Sequence, residues 1–353
     1  MTVADKYSGS GRAAGVVQSS GANDAVLDIE GLGVAFNSGK EELEVLRGVN
    51  LQVRAGETVG LVGESGSGKT ITAMAAMGLV GILHGRITAG TIRLSGKDVT
   101  HLPEKEWRAI RGSEVAMVFQ QPMRSLNPAI TVGEQVAEGI RLHLGMTRRA
   151  AWLRTIELFD LVGIPHPAQR AKQYPHQFSG GMSQRVVIAM ALSCEPKLLI
   201  ADEPTTALDV TTQRRILLLL ERIIAETGVA VLYISHDLAV VSQLCSSVNV
   251  MYAGELVEAG PAEAVFDQPL HPYTSGLLGC IPRPGRTGRL IAIEGTVPPA
   301  GSMPTGCRFH PRCSFAEPGT CDAAVPQLRS PSARAERSAR CLRSDELRLP
   351  GAF

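Results

Sequence analysis

Residues 63–70 read Gly63-Glu64-Ser65-Gly66-Ser67-Gly68-Lys69-Thr70, which has the spacing G-x-x-x-x-G-K-[ST]. These residue types in this order can hold phosphate. The glycines let the backbone curl so that successive N–H groups converge into an anion nest. A helix starting at Lys69 would add its N-terminal dipole. Lys69 would reach the β- and γ-phosphates, and the Thr70 hydroxyl would hold Mg²⁺. The loop points to a nucleoside triphosphate and leaves open what the released energy drives.

Other residues could complete that chemistry. The apolar run ending in Asp202-Glu203 is a Walker-B pattern. Asp202 would hold Mg²⁺, directly or through water, and Glu203 could accept a proton from an attacking water. Gln120 and His236 each end a strand-like run, where a Mg²⁺ ion and a water could be met. Taken alone, Gln120 reads better as a solvated loop amide and His236 as a structural histidine. Ser179-Gly180-Gly181 opens a helix. The serine suits an N-cap, and the two glycines leave N–H donors uncovered, making a second anion site. Two phosphate sites on one chain suggest that two chains sandwich the nucleotide. Phe36 could stack on an adenine or be an ordinary strand aromatic.

Of seven cysteines, Cys307, Cys313, Cys321 and Cys341 crowd into the last fifth, spaced C-x5-C-x7-C-x19-C. In a cytosolic chain such crowding suggests a metal before a disulfide. Four thiolates suit either tetrahedral zinc or an iron–sulfur cluster. The spacing matches neither the C-x2-C zinc patterns nor the ferredoxin run.

The elements that must position these residues follow from hydrophobic pattern. Thr58 to Val62, before the phosphate loop, reads as a buried strand, and Ile71 to Leu83, after it, as a buried helix. Strands are expected at Val26–Phe36, Val45–Val53, Gly90–Leu94, Glu114–Phe119, Lys197–Ala201 and Val229–Ser235. Helical periodicity over Thr131–Leu144 and Arg148–Val162 marks an all-helical insertion, about 128–185. Thr206-Ala207-Leu208-Asp209 leads into an amphipathic helix, Val210 to Glu226. Residues 1–24, rich in Gly, Ser and Ala, read as a flexible tail.

Composition narrows the class. The 353 residues carry Lys+Arg 35 against Asp+Glu 34, a formal net charge of +1, and only 4% aromatics. Neither a basic field nor base-stacking platforms are present, so nucleic acid is not an expected partner. No uncharged apolar run reaches the roughly 18 residues of a membrane span, and no secretory signal is visible. The expectation is a cytoplasmic chain, or one bound to a membrane through a partner.

The set of motifs resembles the ATP-binding-cassette ATPases over residues 26 to about 265: residues 63–70, Gln120, the signature Ser179-Gly180-Gly181, Asp202-Glu203, the Leu208-Asp209 turn and His236 occur in that family's order. Two stretches, Phe119 to Pro128 and the tail from His271-Pro272-Tyr273-Thr274 through Cys307 to Cys313, resemble the oligopeptide/dipeptide importer ATPases, a group that also serves nickel and glutathione uptake. The resemblance implies an α/β P-loop NTPase cassette over 25–266: a RecA-like core, an antiparallel β subdomain and a helical signature subdomain. A small Cys-rich extension follows over 267–353. It implies ATP held between one chain's phosphate loop and the other's signature, with Glu203 as general base, His236 as γ-phosphate sensor, and Gln120 as the Mg²⁺ and water contact. It also implies Phe36 at the adenine, Asp209 beside the nucleotide, and in some members a [4Fe–4S] cluster on the four cysteines. Implied partners are a second, similar ATPase, two membrane-spanning permeases and an extracytoplasmic substrate-binding protein. The chain would lie at the cytoplasmic face of the membrane and power peptide uptake. Phe178 in place of the usual signature Leu, and Gln121 where an acid is common, depart from the family pattern without removing a catalytic group. The competing expectation is a soluble, non-transport cassette, which would bring two cassettes, coiled coils or a basic surface.

Overall fold

The computed structural model describes residues 25–39, 41–206, 208–281, 293–331 and 336–352. The expected tail 1–24 and Ala207 lie outside the described residues.

Period-2 patterning builds a four-stranded antiparallel sheet, ordered β2-β1-β4-β5, from β1 (Ala25–Ser38), β2 (Glu41–Arg54), β4 (Gly85–Leu94) and β5 (Lys97–Asp98). The continuous apolar runs, which have no polar face to offer solvent, instead form a fully buried parallel sheet. Its strands are β3 (Thr58–Val62), β6 (Val115–Val118), β7 (Leu198–Asp202), β8 (Ala230–Ser235) and β9 (Ser247–Tyr252). The order is β9-β3-β8-β7-β6, with β10 (Glu255–Pro261) and β11 (Ser338–Ala339) added antiparallel beyond β9. The carboxyl ends of β3, β6, β7 and β8 therefore share one edge, where open α/β sheets bind ligands.

Helix α1 (Lys69–Ala76) follows the phosphate loop with Gly68 as its N-cap residue. The single helix expected through Leu83 is cut short. Gly78 takes φ +64°, and a Cβ there would lie 2.1 Å from the Trp107 ring. The backbone turns at that point to admit the indole, then forms a short 3₁₀ turn over Val80–Leu83. Trp107 belongs to α2 (Glu104–Ile110), and α3 (Pro122–Ser125) follows β6. The helical insertion contains α4 (Val132–Leu144), α5 (Arg148–Leu161) and α6 (Pro167–Arg170) and leads into α7 (Gly180–Leu192). Val136, Ile140, Leu158, Phe159 and Val186 are buried in one core that continues under the parallel sheet.

The chain returns through α8 (Val210–Thr227), α9 (Leu238–Leu244), α10 (Ala262–Asp267) and α11 (Pro272–Gly279). The C-terminal extension is pinned to the cassette by buried charge. Glu258, fully buried, accepts from the Leu270 and His271 N–H groups at 2.8 and 2.9 Å and from Arg337 at 2.9 Å. Arg340 donates to the Leu256 carbonyl at 2.9 Å, beside the β10–β11 pairing.

Candidate nucleotide site

Steric demand shapes the phosphate loop. Gly63 has φ +153°, and a Cβ there would come within 2.1 Å of the Met251 carbonyl of β9. Only glycine lets the loop leave β3 this close to its neighbour. Lys69, 6% exposed, lays its ammonium across the loop: Nζ donates to the Gly63 and Glu64 carbonyls at 2.8 and 2.9 Å and lies 3.4 Å from Ser67 Oγ. Burial lowers its pKa, opposed by Glu203, Asp202 and Glu64.

The β7 end supplies the acids. Asp202 is buried, and its Oδ1 lies 3.4 Å from the Thr70 hydroxyl. Burial pushes its carboxyl up, while the Thr70 hydrogen bond pulls it down. These two oxygen ligands, from α1 and β7, suit a hard cation such as Mg²⁺, which keeps several waters and takes few protein ligands. Glu203, with φ +46°, turns away from its neighbour. One carboxylate oxygen accepts from Gln120 Nε2 at 2.8 Å and from Thr206 Oγ1 at 3.1 Å; the other lies 3.1 Å from His236 Nδ1. Gln120, Glu203 and His236 thus meet at one point.

A cavity of about 570 Å³ joins these groups, lined by residues 65–71, Gln120, Glu203, His236 and Val45. Gly63, Glu64 and Asp202 are not part of this lining but bond to it, the first two through Lys69 and Asp202 through Thr70. Phe36 does not line the cavity. It packs in the antiparallel sheet, where its ring would meet a Cβ at Gly85. Ser179, Gly180, Gly181 and Asp209 also lie outside the cavity. Ser179 caps α7 through the Met182 N–H at 3.4 Å, and Asp209 caps α8 through the Thr212 N–H at 3.0 Å. The latter bonds hold the Asp209 carboxyl below its ordinary range. Ser179 and Gly180 are exposed, so the helix start expected to hold a second anion lies at the surface, outside this cavity.

Cys307, Cys313, Cys321 and Cys341 converge on one cavity of about 20 Å³, with His310 beside them. Burial pushes Cys307, Cys313 and Cys341 up to about 11. The donor types suit a thiolate-binding metal, and a cation there would reverse that shift. The space is about that of one water-sized sphere. Among the described residues no group of three or more His, Cys, Asp or Glu is arranged to hold a metal ion. The four cysteines expected from sequence to hold a metal are thus gathered around one small space, without the arrangement of a ready-made ligand set among the described residues.

Two residues to which the sequence reading gave no site role touch the phosphate loop from the extension. The Tyr273 hydroxyl accepts from the Glu64 N–H at 2.8 Å, and Arg312 pairs with the Glu64 carboxylate at 2.8 Å. Both stand in the tail pattern, but nothing local marks their contact with Glu64, which is more than two hundred residues away in sequence.

A phosphate loop, a strand-end acid pair and a strand-end Gln and His on one parallel sheet, beside an antiparallel sheet and a helical insertion, define an ATP-binding cassette of the P-loop type. The ABC transporter family model matches residues 46–206, and the model of the oligopeptide/dipeptide transporter C-terminal region matches 257–321. The chain is 48% identical over 334 residues to a putative peptide import ATP-binding protein of Brucella ovis, covering 91% of this chain and 98% of that one. It is 49% identical to the dipeptide transport ATP-binding protein DppD of Bacillus subtilis, covering 82% and 87%. Against the oligopeptide transport ATP-binding protein OppD of Escherichia coli the identity is 47%, covering 86% and 89%. Among solved structures it is similar to the ATP-binding cassette MJ0796, determined as a dimer bound to ADP and Pi. The TM-score is 0.59 at 28% identity, covering 67% of this chain and 98% of that one. The chain belongs to the ABC transporter ATP-binding proteins of the peptide-import group and is an ATPase. Among the described residues no helix is long and apolar enough to cross a membrane.

Proposed function

We propose that this chain powers the uptake of peptides, working at the cytoplasmic face of the membrane with two separate permease subunits, a second cassette ATPase and an extracytoplasmic substrate-binding protein. One observation carries this reading: a nucleotide site and a segment matching the oligopeptide/dipeptide transporter C-terminal region occur on one chain. Peptide leads over nickel chelate or glutathione because the relatives bear peptide-transport names. The soluble, non-transport alternative has no comparable support.

In this reading ATP lies between residues 63–70 of one chain and Ser179-Gly180-Gly181 of another, which accounts for an exposed signature outside this chain's own cavity. Phosphoryl transfer asks for positioning and charge neutralisation. Lys69 and the loop N–H groups bind the phosphates. Thr70, Asp202 and Gln120 would hold Mg²⁺, which supplies charge neutralisation at the phosphates when bound. Glu203 accepts the proton of the attacking water, and His236 and Gln120 orient its carboxylate. Asp209 fixes the turn ahead of α8, and Phe36 is assigned the adenine on sequence pattern alone. The four cysteines are assigned a metal–thiolate site in the Cys-rich extension. A [4Fe–4S] cluster is the first candidate by family resemblance; zinc, as the smaller occupant, is the alternative.

Affinity purification of the chain from its native membrane in mild detergent tests the function. Two multi-span proteins and a second cassette should co-purify. A wholly soluble set of ribosomal or DNA-repair partners would overturn it.

A further inference from the structure

Arg312 lies in a one-turn 3₁₀ segment, His310–Arg312, of the C-terminal extension. Its side chain is 6% exposed and grips Glu64 of the phosphate loop with both nitrogens: Nη1 to Oε2 at 2.8 Å and Nη2 to Oε1 at 3.1 Å. The guanidinium is itself held, by Nε donating to the Glu294 carbonyl at 2.9 Å and by the Tyr252 ring beneath it, 5.7 Å from the centroid. Glu64 has no polar group left over. Its carboxylate is bound by Arg312, its N–H by Tyr273 and its carbonyl by the Lys69 ammonium.

A second arm reaches the same loop. Arg308 donates to the Ala253 carbonyl, and the next residue, Gly254, donates its N–H to the Ser67 carbonyl at 2.8 Å. Phe309, between the two arginines, packs edge-on against Tyr252 and Tyr273. A five-residue stretch, Arg308 to Arg312, outside the parallel core thus braces both ends of the turn that Lys69 crosses.

We propose that Arg312 is a positioning residue for nucleotide binding: by fixing Glu64 it sets the curvature of the phosphate loop and the reach of Lys69, so that the C-terminal extension buttresses the loop without lining the ATP site itself. The inference rests on the reading of residues 63–70 as the phosphate loop. A bidentate guanidinium–carboxylate pair fixes direction as well as distance. A lysine keeps the charge but not the fork, so Arg312→Lys should restore only part of the function.

The test uses the full-length chain, titrated with Mg-ATP at equilibrium, with the nucleotide-free unfolding midpoint measured on the same preparations. Arg312→Gln and Glu64→Gln should each weaken Mg-ATP about fivefold to tenfold, and the double variant should be no weaker than the worse single, as for two members of one contact. Arg312→Lys should fall between wild type and Arg312→Gln. The proposal is overturned if either single variant binds within about twofold of wild type, or if the two losses add. A lowered unfolding midpoint with unchanged affinity of the folded protein likewise overturns it, because the pair would then be structural only. Lys69→Ala serves as the control for the underlying reading. If that variant binds ATP normally, the phosphate-loop assignment itself fails, whatever Arg312 does.

Discussion

Glu203 is held by three partners, Gln120, Thr206 and His236. A general base contributes about 10²- to 10⁴-fold to rate. Glu203→Gln keeps the shape and loses the basicity, so kcat should fall by about that factor while Mg-ATP affinity stays within about threefold. Steady-state ATPase assays with equilibrium titration check this, and near-normal turnover would remove Glu203 from the base role. Lys69→Ala acts on the other term. Its ammonium is among the most deeply placed charges at the site, and removing it should abolish measurable nucleotide affinity rather than turnover alone. At this scale the sequence was most informative. That Lys69, Thr70, Gln120, Asp202, Glu203 and His236 come together was legible, the lysine, threonine and acids from their own neighbours and Gln120 and His236 only through the family pattern. For Phe36, which lies outside the cavity lining, one aromatic in a strand does not say which side of the sheet meets the ligand.

At the scale of elements, α1 ends early for a reason that hydrophobicity does not show. Met77-Gly78-Leu79-Val80 continues the apolar pattern, yet the structure needs a left-handed residue at 78 and room for Trp107. Gly78→Ala should destabilise the fold by on the order of 2 kcal/mol, through strained φ and a clash with the indole. Urea denaturation read by far-UV circular dichroism would show the shift, and an unchanged midpoint would mean that the turn relaxes freely. β4 likewise starts at Gly85, five residues before the expected Gly90, because strand pairing with Phe36 and Ala35 extends it. Boundaries set by such pairing are invisible to a reading of local pattern, whereas β3 and β7, continuous apolar runs next to motifs, were located to within a residue.

At the scale of the whole molecule, the extension joins the cassette through its sheet edge, buried ion pairs and the phosphate loop. Glu258→Ala would strand the Arg337 guanidinium, 7% exposed, together with two buried N–H groups. Breaking a buried pair in this way costs about 3–5 kcal/mol. Thermal unfolding should drop accordingly, and a loss under about 1 kcal/mol would mean that water enters to replace the carboxylate. The Glu258–Arg337 and Glu64–Arg312 pairs were illegible in the sequence because their partners lie 79 and 248 positions apart. The gathering of four cysteines was legible, but their arrangement was not. Metal analysis of the purified chain separates the two occupants: iron with acid-labile sulfide indicates the cluster, and zinc alone indicates the tetrahedral site. Cys341→Ser should lower the bound metal in either case, and unchanged metal content would place the ligands elsewhere.

The central claim is that ATP turnover at the Gln120–Glu203–His236 centre drives peptide across a membrane. It is tested most directly by ATP-dependent uptake of a labelled peptide into proteoliposomes containing the co-purified complex and its binding protein. Wild type should accumulate peptide only with ATP, and Glu203→Gln should bind ATP without accumulating peptide. Equal uptake by both forms, or ATP hydrolysis with no peptide movement in the wild type across a panel of peptides, would contradict the account.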